Sequence, residues 1–173
     1  MAKDTFFLRT VVSMAAGASA YASDNIDVSA YTDPARGRVL VVDKAFITFQ
    51  GDGPSPLLEA DIYGSAASRG MTAQACSEKQ IALVKMDNNS VFQYVNLYAA
   101  TDGTSFTMIE QENPLNPGHF TGGFIIPTDA IHCGVDVGQA WVGGVDVGFL
   151  FEVHTEKLTL QRIQELLVSL TAN

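Results

Sequence analysis

The chain has 173 residues, of which 47% are hydrophobic and only 17% charged, with 10 basic and 19 acidic residues giving a net charge of −9. Soluble domains carry roughly 25% charged residues, so the deficit points to surface that faces protein rather than water, as interface cores do. The acidic balance and the lack of any Lys/Arg run exclude direct contact with nucleic acid and disfavour anionic membrane surfaces, and no apolar stretch approaches the ~18 residues of a membrane span.

In chain order, the first candidate element is a strand over 5–13, with Phe6, Leu8 and Val12 on one face. Its alternative is a secretory signal, with Lys3 and Arg9 ahead of Val11 to Ala18 and cleavage after Ala20 or Ala22. Residues 14–23 are rich in Ala, Ser and Gly and read as an arm. Together, residues 1–23 form an amino-terminal strand and arm that are candidates for exchange between subunits.

Further strands are expected at 26–31, 38–50, 57–63, 80–86, 90–100, 104–110, 119–126, 139–143 and 146–154. The last is the clearest. Val147, Phe149, Phe151 and Val153 point one way, while Asp146, Gly148, Glu152 and His154 point the other. Turn chemistry separates these segments: Asp33-Pro34, the 51–56 run with two glycines and two prolines, Asp87-Asn88-Asn89, Asp102-Gly103 and the Pro-rich 113–118 excursion. Residues 64–75 are small, carry no clear period and read as a loop. A five-residue run, Gly134-Val135-Asp136-Val137-Gly138, recurs ten residues later at Gly144 to Gly148 and is explained by two glycine-bounded strand starts.

In segment 90–100, Phe92, Tyr94 and Tyr98 share one face, and Val91, Val95 and Leu97 share the other. A sandwich buries one face of each sheet, so a neighbour is expected over the tyrosines, whose rings are apolar and whose hydroxyls tolerate water. Phe6, Leu8, Phe92, Tyr94 and Tyr98 are therefore the expected subunit interface. The chain closes with a helix over 158–172, where Leu158, Leu160, Ile163, Leu166, Leu167 and Leu170 are expected on one face and Thr159 caps the start. The fold expected is all-β: one jelly-roll barrel or sandwich spanning 1–173, with a C-terminal α-helix.

No residue pattern carries catalysis. His119, His132 and His154 lack metal-ligand spacing, and His132 beside Cys133 puts adjacent side chains on opposite strand faces. There is no Gly-x-Ser-x-Gly elbow and no phosphate loop. Glu59/Asp61 and Glu110/Glu112 read as solvated faces, and Asp87-Asn88-Asn89 lacks the fuller acidic pattern of a calcium loop. Asn88-Asn89-Ser90 fits a glycosylation acceptor, which matters only in a secretory eukaryotic setting. Cys76 and Cys133 are too few for a disulfide framework and are expected as free buried thiols. No cofactor, metal or enzymatic activity is expected. Three functions stay open: a shell subunit, a secreted binding or adhesion module, and a β-barrel enzyme in which the histidines converge with carboxylates.

A strand-dominated chain from Phe6 to His154 that closes with a helix over 158–170 resembles the single jelly-roll capsid proteins. Its length is similar to that of the small major capsid protein of tailless icosahedral phages with an internal membrane, as found on Thermus hosts. The resemblance implies a vertical barrel in a virion shell that associates with its own copies and with a second, larger capsid protein. It also implies a lipid vesicle beneath.

Overall fold

The computed structural model describes residues 4–63, 68–112 and 115–171. The elements are β1 (Phe6–Met14), β2 (Ala22–Asp27), β3 (Arg38–Gly51), α1 (Glu59–Ile62), β4 (Ser68–Cys76), β5 (Val91–Thr101), β6 (Phe106–Glu112), β7 (Phe124–Ile126), β8 (Ala130–Val137), β9 (Val145–Lys157) and α2 (Leu160–Thr171), with 3-10 turns at Pro34–Arg36 and Pro117–His119.

The strands form two sheets, one ordered β1-β9-β3-β7 and the other β2-β8-β4-β5-β6. Antiparallel pairs β1–β9, β2–β8, β3–β7 and β4–β5 nest inside one another along the chain. That nesting is a long hairpin wrapped around a core, the jelly roll; β6 is one strand more, hung on the outer edge of β5. The protein is an all-β jelly-roll sandwich with a short C-terminal helix.

Alternation explains the core. Val147, Phe149, Phe151 and Val153 of β9 meet Ile131, Cys133 and Val135 of β8 and Met71, Ala73 and Ala75 of β4 in one hydrophobic cluster. At about 25 cal/mol per Å² of apolar area removed from water, this layer supplies the main stabilisation of the fold. Phe92 stacks on Phe124 at 4.9 Å and meets Phe151 edge-on at 5.7 Å between ring centres.

Several expectations change. Segment 57–63 is not a strand: Asp61 accepts a hydrogen bond from the Leu58 amide at 2.9 Å and caps the start of the short helix α1. Residues 80–86 belong to no strand, and neither do 139–143. Of 119–126, only Phe124–Ile126 is strand, and His119 lies in the 3-10 turn. Conversely β4 occupies the part of 64–75 described from Ser68 onward, and β8 is an interior strand absent from the expected set. The second strand begins at Ala22, inside the expected arm.

β1 pairs with β9 of its own chain along all nine residues, and Val12 and Met14 are buried. Exchange of this strand between subunits would have to undo that ladder. The arm after it is pinned by the Gly17 amide donating to the Trp141 carbonyl at 2.8 Å. Helix α2 starts where Thr159 Oγ1 accepts from the Arg162 amide at 3.3 Å. It buries Ile163 and Leu170, and the Asn89 side chain donates to the Ser169 carbonyl at 2.9 Å near its other end.

Candidate interaction surfaces

Phe92 does not belong to a surface. Its relative exposure is 1%. The β4–β5 register slips between Ala75 and Cys76, so Ala75 faces Gln93 while Cys76 faces Val91, leaving Phe92 as the extra residue of a bulge. A bulge breaks the alternation on which the sequence expectation rested and turns the side chain inward. Phe6 and Leu8 also pack against the core, with Phe6 against Tyr31 at 4.6 Å between ring centres. Tyr94 is half-buried. Tyr98 alone of the five stands exposed, at 49%.

Among the described residues, apolar side chains also reach solvent in sets on both sheets and on α2. On the outer face of the first sheet, Phe7 (57%) and Val11 lie on β1 and Phe46 on β3. Between them on β9, half-buried Leu150 pairs with both Arg9 and Phe46. The Lys44–Glu152 ion pair, at 3.0 Å, borders this stripe. On the second sheet, Phe106, Met108 and Ile109 of β6 are exposed beside Tyr98, and Phe106 meets Tyr63 edge-on at 5.8 Å. On α2, Leu160, Leu167 and Val168 face outward, so the helix covers the sandwich with one side and offers leucine and valine with the other.

A fourth feature covers the outer face of the second sheet. Gln74 of β4 is fully buried although its side chain points away from the core. Its Nε2 donates to the Tyr21 hydroxyl at 3.0 Å and to the Ala82 carbonyl at 3.2 Å, while its Oε1 accepts from the Val84 amide at 3.1 Å. The Tyr21 ring lies so close over Gly134 that an added Cβ there would collide with the phenol. Only glycine fits beneath it. Burial holds the Tyr21 hydroxyl above the ordinary phenol range, opposed by the bond from Gln74.

The three histidines lie on separate elements, and only His154 has carboxylates at both ring nitrogens, Asp43 and, at 4.0 Å from Nε2, Glu156. His132 lies on the outer face of the second sheet near Lys79, and its pKa is lowered first by burial and then by that lysine. His154 is buried on the first sheet with its Nδ1 2.6 Å from Asp43 Oδ2, and His119 is exposed in its turn. Among the described residues, no group of three or more His, Cys, Asp or Glu is placed to hold a metal ion. Cys76 and Cys133 are free and buried, and burial pushes the Cys76 thiol up to about 12 and Cys133 well above its usual value. Neither is a nucleophile in this state. Among the described residues, no helix is long and apolar enough to cross a membrane.

No protein-family model matches the chain, and no curated protein matches its sequence. Solved structures that resemble it include the unassembled VP1 pentamer of KI polyomavirus (TM-score 0.45, 6% identity, covering 90% of this chain and 95% of that one). A mutant of the unassembled VP1 pentamer of Washington University polyomavirus gives 0.42 at 6% identity, covering 89% and 93%. Desmodium yellow mottle tymovirus gives 0.31 at 7% identity, covering 92% and 91%.

Proposed function

We propose that this chain is a structural subunit of a viral capsid, which builds a shell by associating with its own copies and performs no reaction. The observation that carries the reading is the distribution of apolar side chains around the jelly roll. Phe7, Val11 and Phe46 on one sheet, and Tyr98, Phe106, Met108 and Ile109 on the other, are exposed on opposite layers of one sandwich. A subunit that tiles a closed surface needs contacts on more than one side. Many modest contacts then multiply into a stable assembly. A binding module needs a single such patch, and an enzyme needs a cleft with converging polar groups.

The finer reading follows the sequence resemblance: an icosahedral phage virion, a second and larger capsid protein as partner, and a lipid vesicle beneath the shell. The secreted alternative meets a physical obstacle, since cleavage after Ala20 or Ala22 would remove β1 and its ladder to β9. Reconstitution tests the proposal. The purified chain, mixed with the larger β-rich protein of the same source and imaged by electron microscopy, is expected to yield closed particles containing both proteins. Particles that never include this chain would overturn it.

A further inference from the structure

Three of the ten basic residues converge at one end of the sandwich, where β3 begins and β9 ends. Arg36 closes the 3-10 turn, Arg38 is the first residue of β3, and Lys157 is the last of β9. With Asp33, Thr155 and Glu156 they line an open recess of about 390 Å³.

The backbone holds them there. The Arg38 amide donates to the Asp33 carbonyl at 2.9 Å, and the Asp33 amide donates back to the Arg38 carbonyl at 2.8 Å. The Leu158 amide donates to the Gly37 carbonyl at 2.8 Å. Gly37, at φ 84°, lies so close to the Leu158 carbonyl that any side chain there would collide with it. The turn that carries Arg36 and the strand end that carries Lys157 are thereby fastened to each other.

Register makes this cluster costly. Arg38 stands directly opposite Lys157 across the β3–β9 ladder, and like charges so placed destabilise a sheet. The two acids of the recess are already engaged. Asp33 accepts from the Arg36 amide at 3.3 Å and lies 3.6 Å from its guanidinium, while Glu156 alternates to the other strand face, with Oε2 4.0 Å from His154 Nε2. Arg38 donates one bond, to the Ala30 carbonyl at 3.0 Å. Among the described residues, Lys157 has no ion-pair partner.

We propose that this recess is an oxyanion-binding site. It takes a phosphate-type group, free or at the end of an organic phosphate, between the Arg36 and Arg38 guanidinium groups, the Lys157 ammonium and the Thr155 hydroxyl. Guanidinium forks match phosphate oxygens. A bound dianion turns the repulsion between Arg38 and Lys157 into shared attraction. The site lies apart from the association surfaces above, so its failure leaves the shell reading untouched.

The test is thermal melting of the full-length chain at about pH 7, with chloride exchanged for inorganic phosphate at constant ionic strength, and again for glycerol phosphate. Half-saturation is read from the NMR shifts of the amides of residues 36–38 and 155–158. At about ten times that concentration of phosphate, melting should rise by about 3–6 °C. A response to inorganic phosphate alone marks the free anion as ligand, and a response to both marks room for an ester. Lys157→Glu sets a carboxylate opposite Arg38, so it should raise melting in chloride and weaken phosphate binding at least about tenfold. Melting that follows ionic strength alone, phosphate shifts confined to other residues, or Lys157→Glu that keeps its phosphate affinity or melts lower in chloride would overturn the site.

Discussion

Two groups of aromatic rings divide this molecule. Phe92, Phe124 and Phe151 interlock in the core, whereas Tyr63, Phe106 and Tyr98 line the margin where β6 ends the second sheet. One strand, β5, supplies a ring to each: Phe92 at 1% exposure and Tyr98 at 49%. The difference lies in backbone register rather than in residue type. A bulge turns the first inward, and unbroken alternation leaves the second outside. Core rings hold the monomer together, whereas Tyr98 and Phe106 at the margin stand partly in solvent.

That division is open to attack by substitution. The largest effect expected is that of Phe92→Ala, which should cost about 3–5 kcal/mol in denaturant unfolding, the range for deleting a buried phenylalanine. A loss under about 1 kcal/mol would return Phe92 to the surface set. Gly134→Ala comes next, at about 1–3 kcal/mol, because its new methyl group meets the Tyr21 phenol. Adding Tyr21→Ala should recover part of that loss, measurable as a non-additive double-mutant cycle. Met108→Ser with Ile109→Ser should leave the melting of the monomer within about 0.5 kcal/mol, since both are exposed. The same pair should weaken association about tenfold in sedimentation. Equal loss of stability and association would erase the distinction between core and margin.

The smallest effect is pH-dependent. His132 has its pKa lowered in the folded state, so the unfolded chain binds the proton more readily. Stability therefore falls as pH drops through the unfolded value of about 6.5 and levels off below the folded one. Thermal melting of His132→Gln between about pH 7 and 5 should be flatter than that of the wild type over this window. Identical profiles would show that Lys79 and burial exert no net effect on the imidazole.

Much of the fold was legible because long alternation survives in single sequences. Strands β1, β3, β5, β6 and β9 and helix α2 lie close to where periodicity placed them. β4 escaped because its inward positions are Met71, Ala73 and Ala75 and its outer Gln74 is covered by Tyr21 and the 82–84 main chain, so neither face looks like what it is. β8 was hidden for a related reason: its outward positions include Gly134, a glycine imposed by the Tyr21 ring, as well as His132. The 80–86 segment shows the converse. Its side chains alternate in sequence, but the main chain bends at 81–82 and turns after Lys85, so it pairs with no described strand. Of the five residues expected at an interface, the outward direction of Tyr98 was readable from the alternation. The inward turn of Phe92 was not, because no residue near it announces a bulge.

The account stands or falls on whether exposed apolar margins bring copies together. Light-scattering mass of the full-length chain across concentration asks this directly. The mass is expected to rise from the 18.5 kDa of the monomer to multiples of it as concentration increases. A single value at the monomer mass over the whole range would contradict it.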